Sequence, residues 1–439
     1  DRVRAWWEER RVRHLYSMLD ALADLEAAVA ALERSRDGET SSSTFERVDA
    51  VVERLRALSR RPPPPTERRT GDANRAFDFA KYDTRAIALH VRYDGWAYHG
   101  FASQGSSASA APPTVERALF EALAKTRLVA SADDVFRGAT YARCGRTDRG
   151  VSGLGQIVTL RVRSNGAGDD VEKELDYVAL LNRTLPDDVR ALGWAPVDDA
   201  LNARFDCKWR QYKYFFEKTN GLDVDAMREA ARSFEGAHDF RNFCRMDAEN
   251  VKSFTRRVLE CTIEETEDGK LMYVNVRGSA FLWHQVRCMS SVLFMVGLGH
   301  ESPSIVAELL DLERTPRKPQ YPMAPEHPLL LWRSGYDASR LDVDRMHVSE
   351  NALAQLETHV ASRMHEHRVR AAIQEEAWAH LARARARMTG DADVQTLARD
   401  LAAVTCTGNV SVAKSRHQRL RDRPTENTFE ERLARVEKK

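Results

Sequence analysis

The chain has 439 residues, of which 43% are hydrophobic and 30% charged, and its formal net charge is +1. These values are ordinary for a globular protein of two or three domains, and no overall basic field marks it for nucleic acid. The longest apolar run, residues 291–299, is too short to span a membrane, so no transmembrane helix is predicted.

The first 83 residues predict a helical extension followed by a linker. Over 3–35 apolar residues recur at spacings of three and four, and 44–59 continue in the same style. A surface helix and a coiled-coil arm both fit this pattern. Four consecutive prolines among charged residues then predict an extended spacer. We therefore expect an N-terminal helical extension at 1–60 and a linker at 61–83.

From Thr84 onward the chain alternates between strand and helix patterns. Ile87, Leu89 and Val91 alternate with other residues and predict a strand. Thr114 is a suitable N-cap for a helix over 114–129. Further strands are predicted at 155–164, 210–217, 256–265 and 271–281, and further helices at 171–186, 223–234 and 281–299.

This order indicates an α+β protein built from two similar mixed halves. We place the first half at 84–216 and the second at 217–340. Residues 341–439 form a largely helical C-terminal extension that ends in a basic tail.

A short motif, "YARCGRTDRGVSGLGQ", concentrates charge just before the strand at 155–164. It contains a single acid, Asp148, among Arg143, Arg146 and Arg149. Arginines bind phosphates and stack on bases. An enzyme acting on nucleic acid needs this combination, in which cations hold the strand and one anionic group reacts with the nucleoside.

Two further features bear on the motif. Gly145 and Gly150 allow positive φ angles or a close approach of another backbone. The cations are expected to lower the pKa of Asp148 and keep it ionised. The alternative is that Asp148 makes a local turn and the arginines are a solvated rim. On the residues alone this alternative fits equally well.

A second segment, 204–216, interleaves basic and aromatic residues as RNA-stacking surfaces do. A strand with one polar and one apolar face is the alternative. For His238 and His284, each near aromatic residues, a structural role is the expectation. The basic residues are Arg204, Lys208, Arg210 and Lys213, and the aromatic ones are Phe205, Trp209, Tyr212 and Tyr214.

Nine segments in a fixed order resemble one known family. They are 91–104, 114–129, 143–164, 181–190, 203–216, 234–247, 278–289, 324–332 and the tail 423–433. The family is that of the TruA-type tRNA pseudouridine synthases, and the resemblance is closest to the eukaryotic branch that acts at positions 38 and 39 of the anticodon arm. It implies an α+β pseudouridine synthase fold with a central, largely antiparallel sheet.

The resemblance also implies the roles of individual residues. Asp148 would be the essential aspartate, and Arg146 the arginine that helps to extrude the target base. Tyr212 would stack on the flipped uracil. Arg287 would pair with the aspartate, and Leu329 would line the uracil pocket.

The remaining implications concern RNA, cofactors and assembly. The family needs neither cofactor nor metal, binds tRNA and works as a homodimer. Residues of this chain expected to bind RNA are Arg143, Arg149, Arg204, Lys208, Arg210 and Lys213. Two departures are Pro328, where many bacterial members have glycine, and a longer Ser/Ala-rich loop at 105–113.

Other classes of function stay open on the sequence alone. One is a catalytically idle RNA-binding or ribosome-assembly subunit on the same fold. Another is a helical interaction protein built on 1–60 and 345–390. Six scattered cysteines without zinc-site spacing suggest a reducing compartment. The chain begins with Asp1, so targeting signals cannot be read, and nucleus, cytoplasm and mitochondrion all stay open.

Overall fold

The computed structural model describes most of the chain from Phe77 onward. The predicted extension at 1–60, the linker as far as residue 76, and most of the 105–113 loop lie outside the described part. The described residues are 77–103, 112–138, 140–166, 168, 170–217, 221–389 and 417–436.

Strands and helices alternate along the described part. The strands are β1 (Asp83–Tyr93), β2 (Ala142–Arg143), β3 (Ser152–Ser164), β4 (Val189–Pro196), β5 (Trp209–Glu217), β6 (Gly236–Asp239), β7 (Thr255–Glu265), β8 (Leu271–Gly278) and β9 (Leu329–Gly335). The helices are α1 (Val115–Lys125), α2 (Ala132–Arg137), α3 (Tyr177–Asn182), α4 (Val224–Arg232), α5 (Gln285–Gly297), α6 (Ile305–Leu310), α7 (Glu350–Thr389) and α8 (Phe429–Val436).

The nine described strands form one sheet in the order β4-β1-β3-β9-β5-β8-β7-β6, with β2 paired to β3. Neighbouring strands are antiparallel except β3 and β9, which are parallel. There Ser152 lies opposite Leu330 and Gly153 opposite Leu331. We call this parallel pairing of β3 with β9 the seam. It joins a half-sheet around β1 to a half-sheet around β8. The prediction of a mixed fold with a central, largely antiparallel sheet is confirmed.

Each half-sheet packs against its own hydrophobic core. The first core contains Leu89, Leu119 and Trp194 from β1, α1 and β4. The second surrounds α5, all thirteen residues of which are buried, and it includes Tyr214 and Phe294. A largely apolar helix that is buried on every side is stable only when other elements surround it. The α5 helix therefore forms the centre of the second half, and its first turn reaches the seam.

Elements with a strong local pattern lie close to their predicted positions. β1, β3, β5, β7 and α4 begin within three residues of prediction. The side chain of Thr114 accepts a hydrogen bond from the Arg117 amide, as expected of an N-cap. Period-two and period-3.6 patterns therefore identify these elements correctly.

Several local predictions are wrong for reasons that lie elsewhere in the fold. The helix predicted over 171–186 is reduced to α3 and a single 3₁₀ turn. Before α3, the carboxylate of Glu174 accepts hydrogen bonds from Ser164, Arg85 and the Asn165 amide, which holds the chain out of helical geometry. The strands β4 and β9 were not predicted, because neither shows sustained alternation.

The strand β5 packs with the second core, although the sequence-based boundary at residue 216 placed it in the first half. β5 hydrogen-bonds to β8 and β9, and its Tyr214 and Phe216 lie in the second core. The tail docks on the same half through ion pairs of Lys318 with Glu426 and of Arg317 with Glu431. None of the described helices is both long and apolar enough to cross a membrane.

Candidate active site

Asp148 lies in the loop that connects β2 to β3, immediately before the seam. Two sets of hydrogen bonds hold this loop. The Gln156 side chain accepts from the Gly145 amide at 3.2 Å and donates to the Gly145 carbonyl at 2.9 Å. The Thr147 hydroxyl lies 2.8 Å from the hydroxyl of Tyr93. The sheet therefore fixes the backbone on both sides of Asp148.

At two positions, another part of the chain lies so close to this loop that only glycine fits. Gly150 has φ of +77°, and a Cβ there would lie 2.6 Å from Cγ of Glu326. Gly100 has φ of +98°, and its Cβ would lie 2.8 Å from the Thr147 carbonyl oxygen. The expectation for Gly145 is wrong, because its φ is not in the left-handed region and a Cβ would meet nothing within 4 Å.

The Asp148 carboxyl group is mostly buried, with 27% of its side chain exposed. Burial raises its pKa to about 6, while Arg287, Trp283 and Arg245 offset part of this effect. The prediction that nearby cations lower this pKa is therefore wrong, because desolvation outweighs their attraction. At pH 7 the group is still mainly ionised, and it is a stronger base than an ordinary aspartate.

His284 lies beside this carboxylate at the start of α5. Its Nε2 is 3.6 Å from Oδ2 of Asp148, and 9% of its side chain is exposed. Burial and the charges of Arg287 and Arg245 lower its pKa to about 4, so it is neutral at pH 7. Its backbone has φ of 62°, a left-handed conformation that is rare for a residue other than glycine. Such strained positions cluster at functional sites.

Arg287 contributes a buried cation in the first turn of α5. Its Nε donates to the Ala324 carbonyl at 2.8 Å, and a terminal nitrogen lies 2.8 Å from Oε2 of Glu326. No arginine or lysine nitrogen of the described residues forms an ion pair with Asp148. The resemblance implied an ion pair between Arg287 and Asp148. In the structure Arg287 pairs with Glu326 instead, and its charge acts on Asp148 from a longer distance.

Apolar and aromatic side chains form the floor of the site. Tyr212 packs edge-on against Phe281, with ring centroids 5.2 Å apart. Burial raises its pKa, and the charge of Asp148 adds to the shift, so the hydroxyl stays protonated. Leu329, at the start of β9, is 5% exposed and belongs to the same core cluster as Val151. The structure thus brings Tyr212 and Leu329 to the seam where Asp148 lies.

Three arginines named from the sequence are exposed near the loop. Arg146, Arg149 and Arg204 have no ion-pair partner among the described residues. The guanidinium of Arg204 lies 5.4 Å from the ring centroid of Phe205, which is itself 78% exposed. A free cation next to an exposed ring is suited to a phosphate and a base.

The other basic residues named from the sequence differ in their surroundings. Arg143 pairs with Glu116, which is buried, and Arg210 donates to four backbone carbonyls, including that of Cys144. Lys213 lies between the rings of Tyr273 and Trp332, on the face of β5 opposite Tyr212. Lys208 is exposed. In this structure Arg143, Arg210 and Lys213 therefore have contacts within the protein, and their binding of RNA stays a prediction.

Sequence reasoning missed four residues of the site. Glu326 binds Arg287, and His284 was expected to be structural. Trp283 is 43% exposed, with the Arg245 guanidinium 4.4 Å from its ring centroid. The signal for Trp283 and His284 was their position directly before a helix that is otherwise apolar. Glu326 lies in the family-like segment 324–332, but nothing in the sequence shows that it contacts Arg287, because the two residues are 39 positions apart.

A carboxylate of raised pKa lies in the same loop as the exposed Arg146 and Arg149, next to the pairing of β3 with β9. Groups of these kinds can hold an RNA strand and react with one nucleoside. Among the described residues no group of three or more His, Cys, Asp or Glu side chains is placed to hold a metal ion.

Comparisons with known proteins identify the family. The tRNA pseudouridine synthase profile matches residues 230–337. The tRNA pseudouridine(38/39) synthase of Bos taurus is 43% identical over 299 residues, or 63% of this chain and 60% of that protein. The corresponding enzyme of Saccharomyces cerevisiae is 42% identical over 276 residues, or 61% of each chain.

A more distant relative is matched over more of its length. The tRNA pseudouridine synthase A of Methanothermobacter thermautotrophicus is 36% identical over 247 residues, which are 56% of this chain and 80% of that protein. The chain therefore belongs to the TruA-type tRNA pseudouridine synthase family. It spans about three fifths of the length of the mammalian and yeast relatives.

Proposed function

We propose that this protein is a tRNA pseudouridine synthase that isomerises uridine at positions 38 and 39 of the anticodon arm. The observation that carries the proposal is the mostly buried carboxylate of Asp148, which has no arginine or lysine ion-pair partner among the described residues, within a chain of this family. The relatives named for positions 38 and 39 support the choice of uridine.

The reaction can be written with the groups present in the site. The N1–C1′ bond of uridine breaks, the detached uracil turns, C5 bonds to C1′, and the C5 proton is exchanged for one on N1. No electron leaves or enters, so no redox cofactor is required. Two routes use the Asp148 carboxylate, which either removes the C2′ proton or bonds covalently to the nucleoside.

The surrounding residues have distinct tasks in this proposal. The target base leaves its stack at a cost of a few kcal/mol. Arg146, free and exposed, enters the vacated space and offsets part of that cost. Tyr212 stacks on the flipped uracil, Leu329 closes its pocket, and Arg287 stabilises negative charge at the reacting carboxylate. Arg149, Arg204 and Lys208 contact phosphates, for which they are exposed and available.

The direct test is conversion of defined RNA by the purified protein. Unmodified tRNA transcripts with uridine at 38 or 39 are incubated with the enzyme, and pseudouridine is mapped at single-nucleotide resolution. We expect conversion at these positions, and loss of the same modifications in cells that lack the protein. Tight binding without conversion would instead identify an idle RNA-binding subunit.

The pH dependence follows from the raised pKa of Asp148. Either route needs the ionised carboxylate, so kcat/KM should fall tenfold per pH unit below about pH 6. His284, with its pKa lowered to about 4, stays neutral through this range. Single-turnover rates between about pH 5 and 8 measure this decrease on the acid side of the pH–rate profile. A midpoint of the decrease near the ordinary aspartate pKa of about 4 would contradict the assignment of Asp148.

We further propose that the protein is a homodimer in which the tRNA crosses from one subunit to the other. The net charge is only +1, and just a few cations of the described residues are free near the site. A two-fold assembly doubles that surface without a high charge on either subunit. Light scattering at micromolar concentration should report twice the mass of one chain, and a monomer would refute the proposal.

The compartment follows from the substrate in this proposal. We place the protein in the nucleus, the cytoplasm or both, with the mitochondrion as the alternative. Imaging of the tagged protein in its own cells distinguishes them.

A further inference from the structure

The inference concerns Cys144 and Cys207, two buried cysteines whose sulfur atoms are in contact. Their Sγ atoms lie 3.5 Å apart, although the two residues are 63 positions apart in the chain. Cys144 is 1% exposed and Cys207 is 7% exposed, and both thiols are free in this structure. The proposed reaction uses neither of them, so the pair is a nucleophilic group without an assigned task.

The pair lies between two segments that both carry residues of the site. Cys144 follows β2 directly, in the loop that contains Arg146 and Asp148. Cys207 lies just before β5, the strand that carries Tyr212. A bond between the two sulfur atoms would therefore tie the loop of Asp148 to the strand of Tyr212.

Hydrogen bonds of the backbone keep the two sulfur atoms side by side. The Arg210 guanidinium donates to the Cys144 carbonyl at 2.9 Å and to the Cys207 carbonyl at 3.3 Å. The Cys144 amide donates to the Ile157 carbonyl at 2.8 Å, which anchors the loop on β3. Neither segment can move away from the other without leaving these groups unpaired, which is costly for buried backbone.

The surroundings of Cys144 favour its thiolate, which is the reactive form of a cysteine. The neighbouring thiol of Cys207 and the charge of Arg210 lower the pKa of Cys144, against the opposing effect of burial. The contact with Cys144 and burial raise the pKa of Cys207, which therefore keeps its proton. The pair thus combines a nucleophilic sulfur with a second thiol next to it.

We propose that Cys144 and Cys207 are an oxidation-sensitive pair, which a peroxide converts into a disulfide that reversibly slows the reaction at Asp148. Formation of the disulfide is independent of the proposed function. Its effect on turnover rests on that function, because it acts on the loop that carries the reacting carboxylate.

The oxidation balances with hydrogen peroxide as the co-reactant. The Cys144 thiolate attacks one peroxide oxygen, the O–O bond breaks, and the other oxygen leaves as hydroxide. The Cys207 sulfur then attacks the sulfenic acid on Cys144, the S–O bond breaks, and a second hydroxide leaves. The two hydroxides take up the protons of the two thiols. One disulfide and two waters result, and the two electrons that the sulfur atoms lose reduce the peroxide.

The segment 197–208, between β4 and β5, is the route by which the peroxide reaches the pair. It contains neither helix nor strand, and its Phe205 is 78% exposed. The two cysteines belong to a small cluster with Leu201, Ala203 and Leu341, which is separate from the two main cores. Segments with few buried contacts open at a lower free-energy cost than core strands. We therefore expect a slow oxidation whose rate is set by this opening.

A disulfide would change the geometry of the site. Bonded sulfur atoms lie much closer than 3.5 Å, so the segments of Cys144 and Cys207 must be drawn together. Arg146 and Asp148 follow Cys144 in the same loop. A displacement of about 1 Å at reacting groups can lower a rate about 10²-fold. Reduction of the disulfide releases the loop again.

The test treats the full chain with hydrogen peroxide, removes the peroxide and alkylates the remaining thiols. Peptide mass spectrometry should then show the Cys144 and Cys207 peptides linked to each other. Single-turnover conversion of tRNA should be at least about tenfold slower after oxidation, and dithiothreitol should restore it. If no linked peptides form, the proposal is wrong. Linked peptides with an unchanged rate would refute the effect on turnover.

Cys207→Ser removes the second thiol and nearly keeps its size. Before treatment its rate should match that of the wild type. After treatment it should give no linked peptides, and its rate should change less than about twofold, because no bond can join the two segments. A loss of rate as large as in the wild type would show that the disulfide is not the cause. Cys207→Ala makes the same prediction if the serine variant does not fold.

The matched control is Cys261→Ser, which removes another buried cysteine. Burial and the charges of Glu235 and Glu260 raise the pKa of Cys261. This variant should respond to peroxide as the wild type does, in both the linked peptides and the rate. A Cys261→Ser protein that resists inactivation would move the sensitive site away from Cys144 and overturn the proposal.

The two measurements separate this inference from the proposed function, because the linked peptides are detected without turnover. A wild-type protein that converts no tRNA would refute the proposed function and with it the effect on turnover. Linked peptides of Cys144 and Cys207 in that protein would still establish the disulfide, and their absence would refute it.

Discussion

Asp148→Asn should abolish pseudouridine formation, with kcat lower by at least about 10³-fold. The amide is nearly the same size but can neither take a proton nor attack carbon. RNA affinity should change little, because the free arginines and not the acid contact phosphates. Single-turnover assays with saturating enzyme, together with filter binding, separate the two quantities.

The same variant makes a prediction about stability. Burial raises the pKa of Asp148 to about 6, so its charge is less favourable in the folded protein than in the unfolded chain. At pH 7 the free energy of unfolding of Asp148→Asn should therefore be unchanged or higher, and the difference should shrink below about pH 6 and vanish below about pH 4, the ordinary pKa of aspartate. The control is Asp225→Asn, whose carboxylate is exposed and pairs with Arg228. Residual turnover above about a tenth of wild type would exclude Asp148 as the reacting group.

Arg146→Ala should slow turnover about 10- to 100-fold while the dissociation constant for tRNA rises only a few-fold. The physical reason is that in the proposed mechanism Arg146 acts after binding, when it would hold the space left by the extruded base. Lysine should not fully restore the rate, because an ammonium group lacks the planar fork of the guanidinium and cannot stack as it does. Single-turnover rates and equilibrium binding on the same transcript measure the two effects.

Arg149→Ala is the matched control for this prediction. Arg149 is exposed in the same loop, and like Arg146 it has no ion-pair partner among the described residues. Its loss should weaken binding and leave the rate at saturation intact. If Arg146→Ala behaves in the same way, Arg146 is a phosphate contact and has no part in extruding the base.

Local patterns were enough to predict much of the fold and part of the site. Alternation in β1 and β3 and the N-cap Thr114 identified elements that the structure confirms. Asp148 and Tyr212 were named because residues of their type stand within recognisable motifs. Both come to the same seam of the sheet.

Other features depend on residues far apart in the chain, and no local pattern could show them. The parallel pairing of β3 with β9 joins residues almost 180 positions apart. The partners of Arg143 and Arg287 are Glu116 and Glu326, so Arg143 is already paired within the protein and Arg287 is not in the expected ion pair with Asp148. A basic residue in a motif looks the same whether its charge is free or neutralised, since only the fold brings the opposite charge to it.

By itself the sequence determined the order of the strands β1, β3, β5, β7 and β8 and of the main helices, the family, and which acid, arginine and tyrosine stand in the motifs. Those properties are carried by residue type and spacing along the chain. The tertiary structure decided which cations are free, which acid binds Arg287, and the direction in which the pKa of Asp148 moves. Sequence neighbours predicted a lower pKa and burial raises it, because desolvation is set by everything that surrounds a group in space.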